Sequence, residues 1–379
     1  MTYIKNSIIV SPTEEICGKV LAFDEKIRDI IDESEIPSGA DIIDAEGCYT
    51  LPGLIDIHIH GYLGEDSTDG SADGLYTMAK GIVKNGVTSF LPTTMTVGMN
   101  DISTAFNAIR SAKEKSKSWD GAEILGVHAE GPFINPGKKG AQPEEHILKP
   151  YADFVLENSD IIKVITVAPE MDKGHTFIKK VSSRTDVLIS MGHTDANYDE
   201  AMSAIMDGAN STTHLFNTMP PMSHRAPGII AAALGSDIYC ELIADTFHIH
   251  PGLFKIVAKL KEDKLILITD CMRAGGLADG SYSLGGQDVI VKGIECRMTD
   301  GTIAGSVLSL NAAIRNMLTH TDLSVHKVVN MASLNPAKAI HLDRTRGSIE
   351  AGKDADICIT DKNFNVIRTV KNGKTVYSA

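Results

Sequence analysis

The chain has no Cys-x-x-Cys pair. Its six cysteines, at positions 17, 48, 240, 271, 296 and 358, are scattered through 379 residues. That fits reduced thiols in a cytoplasmic protein better than a disulfide framework. The opening "MTYIKNSIIV" lacks a long apolar core followed by a small-residue cleavage site, so no signal peptide is expected. No apolar run reaches the ~18 residues that suggest a membrane span. Excess positive charge is also missing. The formal net charge is −13, which argues against a nucleic-acid partner, since that would need a basic face. A few local Arg or Lys residues would still suffice for an anionic small molecule. No Gly-x-Gly-x-x-Gly follows the first barrel-type strand, which weakens the case for an open dinucleotide-binding sheet. What is present is ordinary for a soluble globular chain: 43% hydrophobic and 22% charged residues, and length enough for one large α/β domain.

The two ends of the chain look alike in type. Residues 1–50 read as short strands broken by Gly and Asp, in "YIKNSIIV", "GKVLAFD", "KIRDIID" and "ADIIDAEG". Residues 347–379 read the same way, with "NG" at 372–373 as a hairpin turn. The middle alternates instead. Apolar strand-like runs lie at 54–60, 87–93, 123–129, 162–168, 187–192, 210–216, 239–245 and 265–270. Helical patterns such as "ADGLYTMAKGIVKN", "DISTAFNAIRSAKEK", "DEAMSAIMDG" and "HPGLFKIVAKLKED" separate most of them, and "SLNAAIRNMLTH" and "VHKVVNMASLNPAKAI" follow. Eight strands alternating with helices predict an α/β fold, a (β/α)8 barrel of the TIM type. Near-continuous apolar runs such as "LILIT" and "VLISM" suit parallel strands buried on both faces.

The ends of these runs carry the chemistry. Run 1 ends in His58-x-His60, run 3 in His128 and Glu130, run 5 in His193 and run 6 in His214. Run 7 ends in Asp245 and His248, and run 8 in Asp270. Barrel active sites lie at the C-terminal ends of the strands, so these residues would converge in one mouth. A lone histidine at a strand end is commonly a hydrogen-bonded structural residue, and Asp270 alone could cap the turn that follows it. Five of the eight runs ending in His is harder to explain that way. Imidazole with carboxylate and without cysteine suits a zinc, iron or manganese site that keeps open positions. Alternation places His58 and His60 on one face, and His128 one layer below Glu130 as a packed residue. His250 is followed by Pro-Gly and a helical pattern, so it is read as a bystander at a helix start.

The motifs "PGLIDIHIHG", "GVHAEGPFINPGKKGA", "MGHTDA", "THLFNTM", "HRAPG", "IADTFHIHP", "LITDCMRAGG" and "GTIAGSVLSL" together resemble the N-acetylglucosamine-6-phosphate deacetylase family of the amidohydrolase superfamily. The tail "RGSIEAGKDADICITD" is similar to the superfamily's C-terminal β segment. The resemblance implies a small β-sandwich domain from residues 1–53 and 344–379 beside a catalytic barrel of 54–343. It implies hydrolysis of the acetamide of N-acetylglucosamine 6-phosphate in amino-sugar catabolism and cell-wall sugar recycling. The alternatives are the galactosamine isomer, another amide, or a non-catalytic scaffold, which would normally have lost ligands. The main metal would sit on Glu130, His193 and His214. His58 and His60 match a pair that holds a second ion, so one or two divalent metals (Zn, Fe or Mn) are expected. Asp270 matches the catalytic aspartate. Asp245 and His248 match the region near the sugar, and Ala141, Ile303, Ala304 and Gly305 further contact positions. Asn217 and Thr218 would meet the phosphate end through the backbone. Arg225 matches an arginine that reaches the phosphate from a neighbouring subunit, which requires a homodimer or tetramer, and His224 stands beside it. Gln142 stands at a substrate-contact position where some members have a histidine, and Thr218 where alanine is common.

Other amide hydrolases of the superfamily bridge two metals with a carboxylated lysine from strand 4. Here Lys163 lies at the beginning of "IKVITVAPE", at the wrong end, and Glu130 is the available carboxylate. Lys138 and Lys139 read as solvated loop charges, and Cys271 as packing.

Overall fold

The structure, a computed structural model, describes residues 1–379. Eight parallel strands succeed one another in chain order. Strand 1 is Leu54–Ile59, strand 2 Val87–Thr94, strand 3 Val127–Phe133 and strand 4 Ile162–Val167; strand 5 is Leu188–Met191, strand 6 Ser211–Thr212, strand 7 Tyr239–Ile243 and strand 8 Leu265–Ile268. Each pairs in parallel with the next. The ring shuts between strands 8 and 1 through a parallel Ile59–Cys271 bridge. There the Asp270 N–H donates to His58 O at 2.9 Å and the His60 N–H to Cys271 O at 2.8 Å. This is the expected TIM-type barrel.

A helix follows every strand: Ala72–Ile82, Met99–Ser116, Asp153–Glu157, Thr176–Ser182, Tyr198–Met206, Gly228–Gly235, Phe254–Lys261 and Leu310–His320. In strand 1, Ile55, Ile57 and Ile59 join the large apolar cluster between strands and helices. Asp56 and His58 alternate with them and are also buried, so they face the barrel axis. The interior carries hydroxyls too. His128 Nε2 meets Thr166 Oγ1 at 2.8 Å, which meets Thr213 Oγ1 at 2.8 Å, which reaches Ser190 Oγ at 2.7 Å. His128 Nδ1 lies 3.0 Å from Ile57 O. Burial holds this imidazole well below its usual pKa, and a neutral ring suits both contacts. The packed reading of His128 therefore stands.

Both chain ends build the second β unit. Tyr49–Pro52, Ile8–Val10, Ile357–Thr360, Val366–Lys371 and Lys374–Ser378 share one six-stranded sheet, and Thr2–Lys5 belongs to a four-stranded one. Ile4, Ile9, Leu21, Phe23, Ile357, Ile359 and Val370 fill the space between. Asn372 and Gly373 turn the last hairpin at φ 48° and 76°, the left-handed pair a two-residue turn demands.

Three elements differ from expectation. The run 210–216 contributes only Ser211–Thr212 as strand, because the chain leaves the barrel wall at the site residues. The helical pattern over 325–340 is two helices, Val325–Met331 and Leu334–Ala339. Pro336 cannot donate the hydrogen bond that would continue the first helix. An antiparallel sheet, Gly280–Leu284, Gln287–Lys292 and Glu295–Met298, stands where the sequence reading placed no element. It packs its own apolar cluster, with Leu284, Val289, Val291 and Cys296, against Met95 and Ala141, and so roofs the barrel mouth.

Candidate metal centre and active site

The strand-end residues do converge. His193 Nε2 lies 3.2 Å and His214 Nε2 3.1 Å from Glu130 Oε1, and the two nitrogens are 3.1 Å apart. A second set adjoins the first. His60 Nε2 lies 3.2 Å and His58 Nε2 3.5 Å from Asp270 Oδ1, with the two nitrogens 3.4 Å apart. Glu130 joins the sets: Oε1 is 3.4 Å from His58 Nε2 and Oε2 is 3.3 Å from His60 Nε2.

Local backbone aims these side chains. His193, His214 and Asp270 all adopt positive φ, at 47°, 31° and 51°. L-residues rarely occupy this left-handed region, and it recurs at functional sites where the surroundings enforce it. Each kink falls just after a barrel strand and ends its alternation. The loop after strand 3 supplies the enforcement. His193 Nδ1 bonds Lys138 O at 2.9 Å, and Asn135 N–H donates to His193 O at 2.9 Å. Gln142, 3% exposed, donates from Nε2 to Glu130 Oε2 at 2.5 Å while its Oε1 accepts from Thr96 N–H at 2.6 Å.

The donor set fits divalent metal. Asp56, Glu130, Glu241 and Asp270 are all buried, and the cationic partners within reach of the last three are histidines alone. Burial opposes charge on His58 and His60. The Glu241 and Asp270 carboxylates still hold His58 well above its ordinary pKa, and bonds to Asp270 and Glu130 hold His60 at about 9. Asp270 falls to about 2, because His58 and His60 outweigh its burial. A site that draws protons this strongly is one where a cation is favoured in their place, and ligands release their protons when metal binds. Glu130 with His193 and His214, and His58 with His60 and Asp270, each bring three donor atoms within 4.8 Å of one another.

Above these donor groups lies a cavity of about 250 Å3 whose floor includes His60, Glu130, His193, His214 and Asp270. Ala141, Gln142, Asn217, Thr218, His248, Ile303 and Gly305 line it as well. His58 lies beneath, fully buried. Four residues singled out in the sequence sit elsewhere. Ala304 packs into the roof's core. The Asp245 carboxylate accepts from the Phe247 and His248 N–H groups at 2.9 and 2.8 Å and meets His248 Nδ1 at 2.6 Å, so it orients His248 from behind. Arg225 and His224 are exposed on the loop before the helix Gly228–Gly235. The Asn217 N–H already donates to His214 O at 3.0 Å. His250 caps the turn Pro251–Leu253, its Nδ1 accepting from Gly252 N–H at 3.1 Å, as expected of a bystander.

The sequence reading missed Leu284 and Thr302, which the roof brings to the cavity. The Gly285-Gly286 pair between alternating residues was the signal. It also missed Glu241, a carboxylate inside the apolar run "YCELIAD".

The amidohydrolase family profile matches residues 49–376. The chain belongs to the amidohydrolase family. It is 40% identical to the N-acetylglucosamine-6-phosphate deacetylase of Bacillus subtilis (strain 168), over 99% of this chain and 96% of that one. It is 33% identical to an N-acetylgalactosamine-6-phosphate deacetylase of Escherichia coli O157:H7, over 83% of this chain and 84% of the relative. Among solved structures, the N-acetylglucosamine-6-phosphate deacetylase of Pasteurella multocida superposes with a TM-score of 0.94 at 32% identity, over the whole of both chains.

Proposed function

We propose that this amidohydrolase removes the acetyl group from N-acetyl-D-glucosamine 6-phosphate, giving D-glucosamine 6-phosphate and acetate, in cytoplasmic amino-sugar catabolism and cell-wall sugar recycling. The observation that carries the reading is Asp270 beside two abutting ligand sets, on the floor of one cavity, in a chain so similar to named deacetylases.

Glu130, His193 and His214 would hold one ion, and His58 and His60 a second beside Asp270. When bound, such ions polarise an amide carbonyl and lower the pKa of water from 15.7 to about 7. The rest falls to the chain's own groups. Asp270 takes the proton of the attacking water and returns a proton to the departing amine nitrogen. His248, fixed by Asp245, donates a hydrogen bond to the substrate or to the oxyanion as it forms. The roof residues Leu284 and Ile303 exclude bulk water. Arg225 has a guanidinium fork suited to phosphate oxygens. We assign it to the phosphate in a neighbouring subunit of a homo-oligomer on the resemblance of "HRAPG" to the deacetylase family, and its exposure on the loop before Gly228–Gly235 leaves it free to reach outward.

Metal counting on the purified protein, paired with acetate release from phosphorylated and free N-acetyl sugars, tests the reading. Release from the glucosamine 6-phosphate compound with metal bound is the expected result. A protein that is inactive on every phosphorylated sugar when fully loaded with metal would refute it. The galactosamine isomer belongs in the panel, given the 33% identical relative.

A further inference from the structure

We infer that Glu241 is the positioning residue that makes His58 a metal ligand. The inference deepens the two-metal reading above and rests on it. Glu241 lies in the middle of strand 7, between Cys240 and Leu242, and is 0% exposed. Its Oε2 meets His58 Nδ1 at 2.9 Å and accepts the His214 N–H at 3.2 Å. Its Oε1 is buried without a partner.

A carboxylate can only accept, so this contact places a proton on His58 Nδ1. In the neutral ring the lone pair is then on Nε2, the atom that faces Glu130, His60 and Asp270. A ligating imidazole needs that tautomer, and the group on its far nitrogen sets it. The other ligands compare informatively. His60 Nδ1 faces Thr93 O at 3.2 Å and His193 Nδ1 faces Lys138 O at 2.9 Å. Both partners are main-chain carbonyls, which any residue at those positions supplies. His214 Nδ1 is buried without a partner, so of the four histidines only His58 has a side chain, a carboxylate, at its far nitrogen. Through the His214 N–H the same oxygen also steadies the kinked residue of the other ligand set. Glu241 directs one oxygen to two site residues, His58 and His214, and its other oxygen has no protein partner.

The test uses the full-length chain as wild type, Glu241→Gln and Glu241→Leu, with Zn(II) as the probe. Zinc is counted per chain in equilibrium with a graded chelator, and the melting temperature of the stripped proteins is recorded. The wild type is expected to hold two Zn(II). In Glu241→Gln one ion should bind about 10- to 100-fold more weakly, and in Glu241→Leu more weakly still, because an amide oxygen can still accept from Nδ1 and a methyl group cannot. The other ion should shift far less, and the stripped proteins should melt together. Unchanged affinity for both ions overturns the proposal. So does an equal loss of both with a lower melting temperature, which would mark a structural strut. A wild type that binds a single ion overturns the two-metal reading itself, and is seen before any variant is compared.

Discussion

Asp270 stands where strand 8 ends, at φ 51°, with His60 3.2 Å away and the cavity above it. Its proposed work is to carry a proton, and an amide in its place cannot. Asp270→Asn should therefore lower kcat by at least about 100-fold while metal counting finds the Glu130 ion retained; near-normal turnover in the pure variant would remove Asp270 from that role. At Arg225 the expectation is one of binding. Arg225→Ala should raise KM for the 6-phosphate sugar and leave the weak hydrolysis of the free sugar unchanged. An equal effect on both would show that Arg225 does not meet the phosphate. Gln142 shows how a residue's neighbours redefine it. Read as a substrate contact, it lines the cavity as expected, yet its amide is held at both ends, by Glu130 and by Thr96. Its first effect is thus on the carboxylate that joins the two ligand sets.

The end of strand 3 and the loop after it, from Gly131 to Gln142, set the geometry of strands 3 and 5 together. Gly131 has φ 88°, and a Cβ there would run into the Thr96 hydroxyl. Gly131→Ala should cost about 1–3 kcal/mol in backbone strain and displace Glu130, the residue before it. The expected readout is a lower melting temperature together with lost metal; a variant that melts like wild type with metal retained would show that the loop yields. Elements like these mark the limit of what was legible in the chain. The eight strands were readable because apolar runs buried on both faces leave a continuous signal. The candidate ligands were readable because they close those runs. The kinks at His193 and His214 were not, since neither residue type announces a left-handed backbone. The roof strands were passed over because their alternation over 280–298 is short and interrupted by glycines. Glu241 was hidden inside a strand, where one carboxylate among apolar residues looks like a surface position until the opposite wall is known.

At the scale of the molecule, the β unit from the two termini is fastened to the barrel by charge. Arg346 reaches Ser89 Oγ at 2.7 Å, Glu123 at 3.3 Å and Asp354 at 3.2 Å. Nearby, burial pushes Asp356 up to about 6, against the pull of Arg346. Folded Asp356 therefore keeps its proton at pH values where the unfolded chain has released it, from near 4 to about 6. Its contribution to stability falls as pH rises through that window, approaching a loss of about 3 kcal/mol above it. Asp356→Asn cannot ionise, so its melting temperature relative to wild type should climb between pH 4 and 6 and then level off. A constant offset across that range would rule the effect out. The barrel's closure has a consequence of its own. Strands 8 and 1 meet through few main-chain bonds, and His58 and His60 sit on one side of that seam with Asp270 on the other. An ion gripped by all three would act as a clasp on a hoop, and chelation would open the hoop at its join. Amide protons of strands 1 and 8 should then exchange with solvent sooner than those of strands 3 to 5, so that the ions needed for turnover would also keep the barrel round.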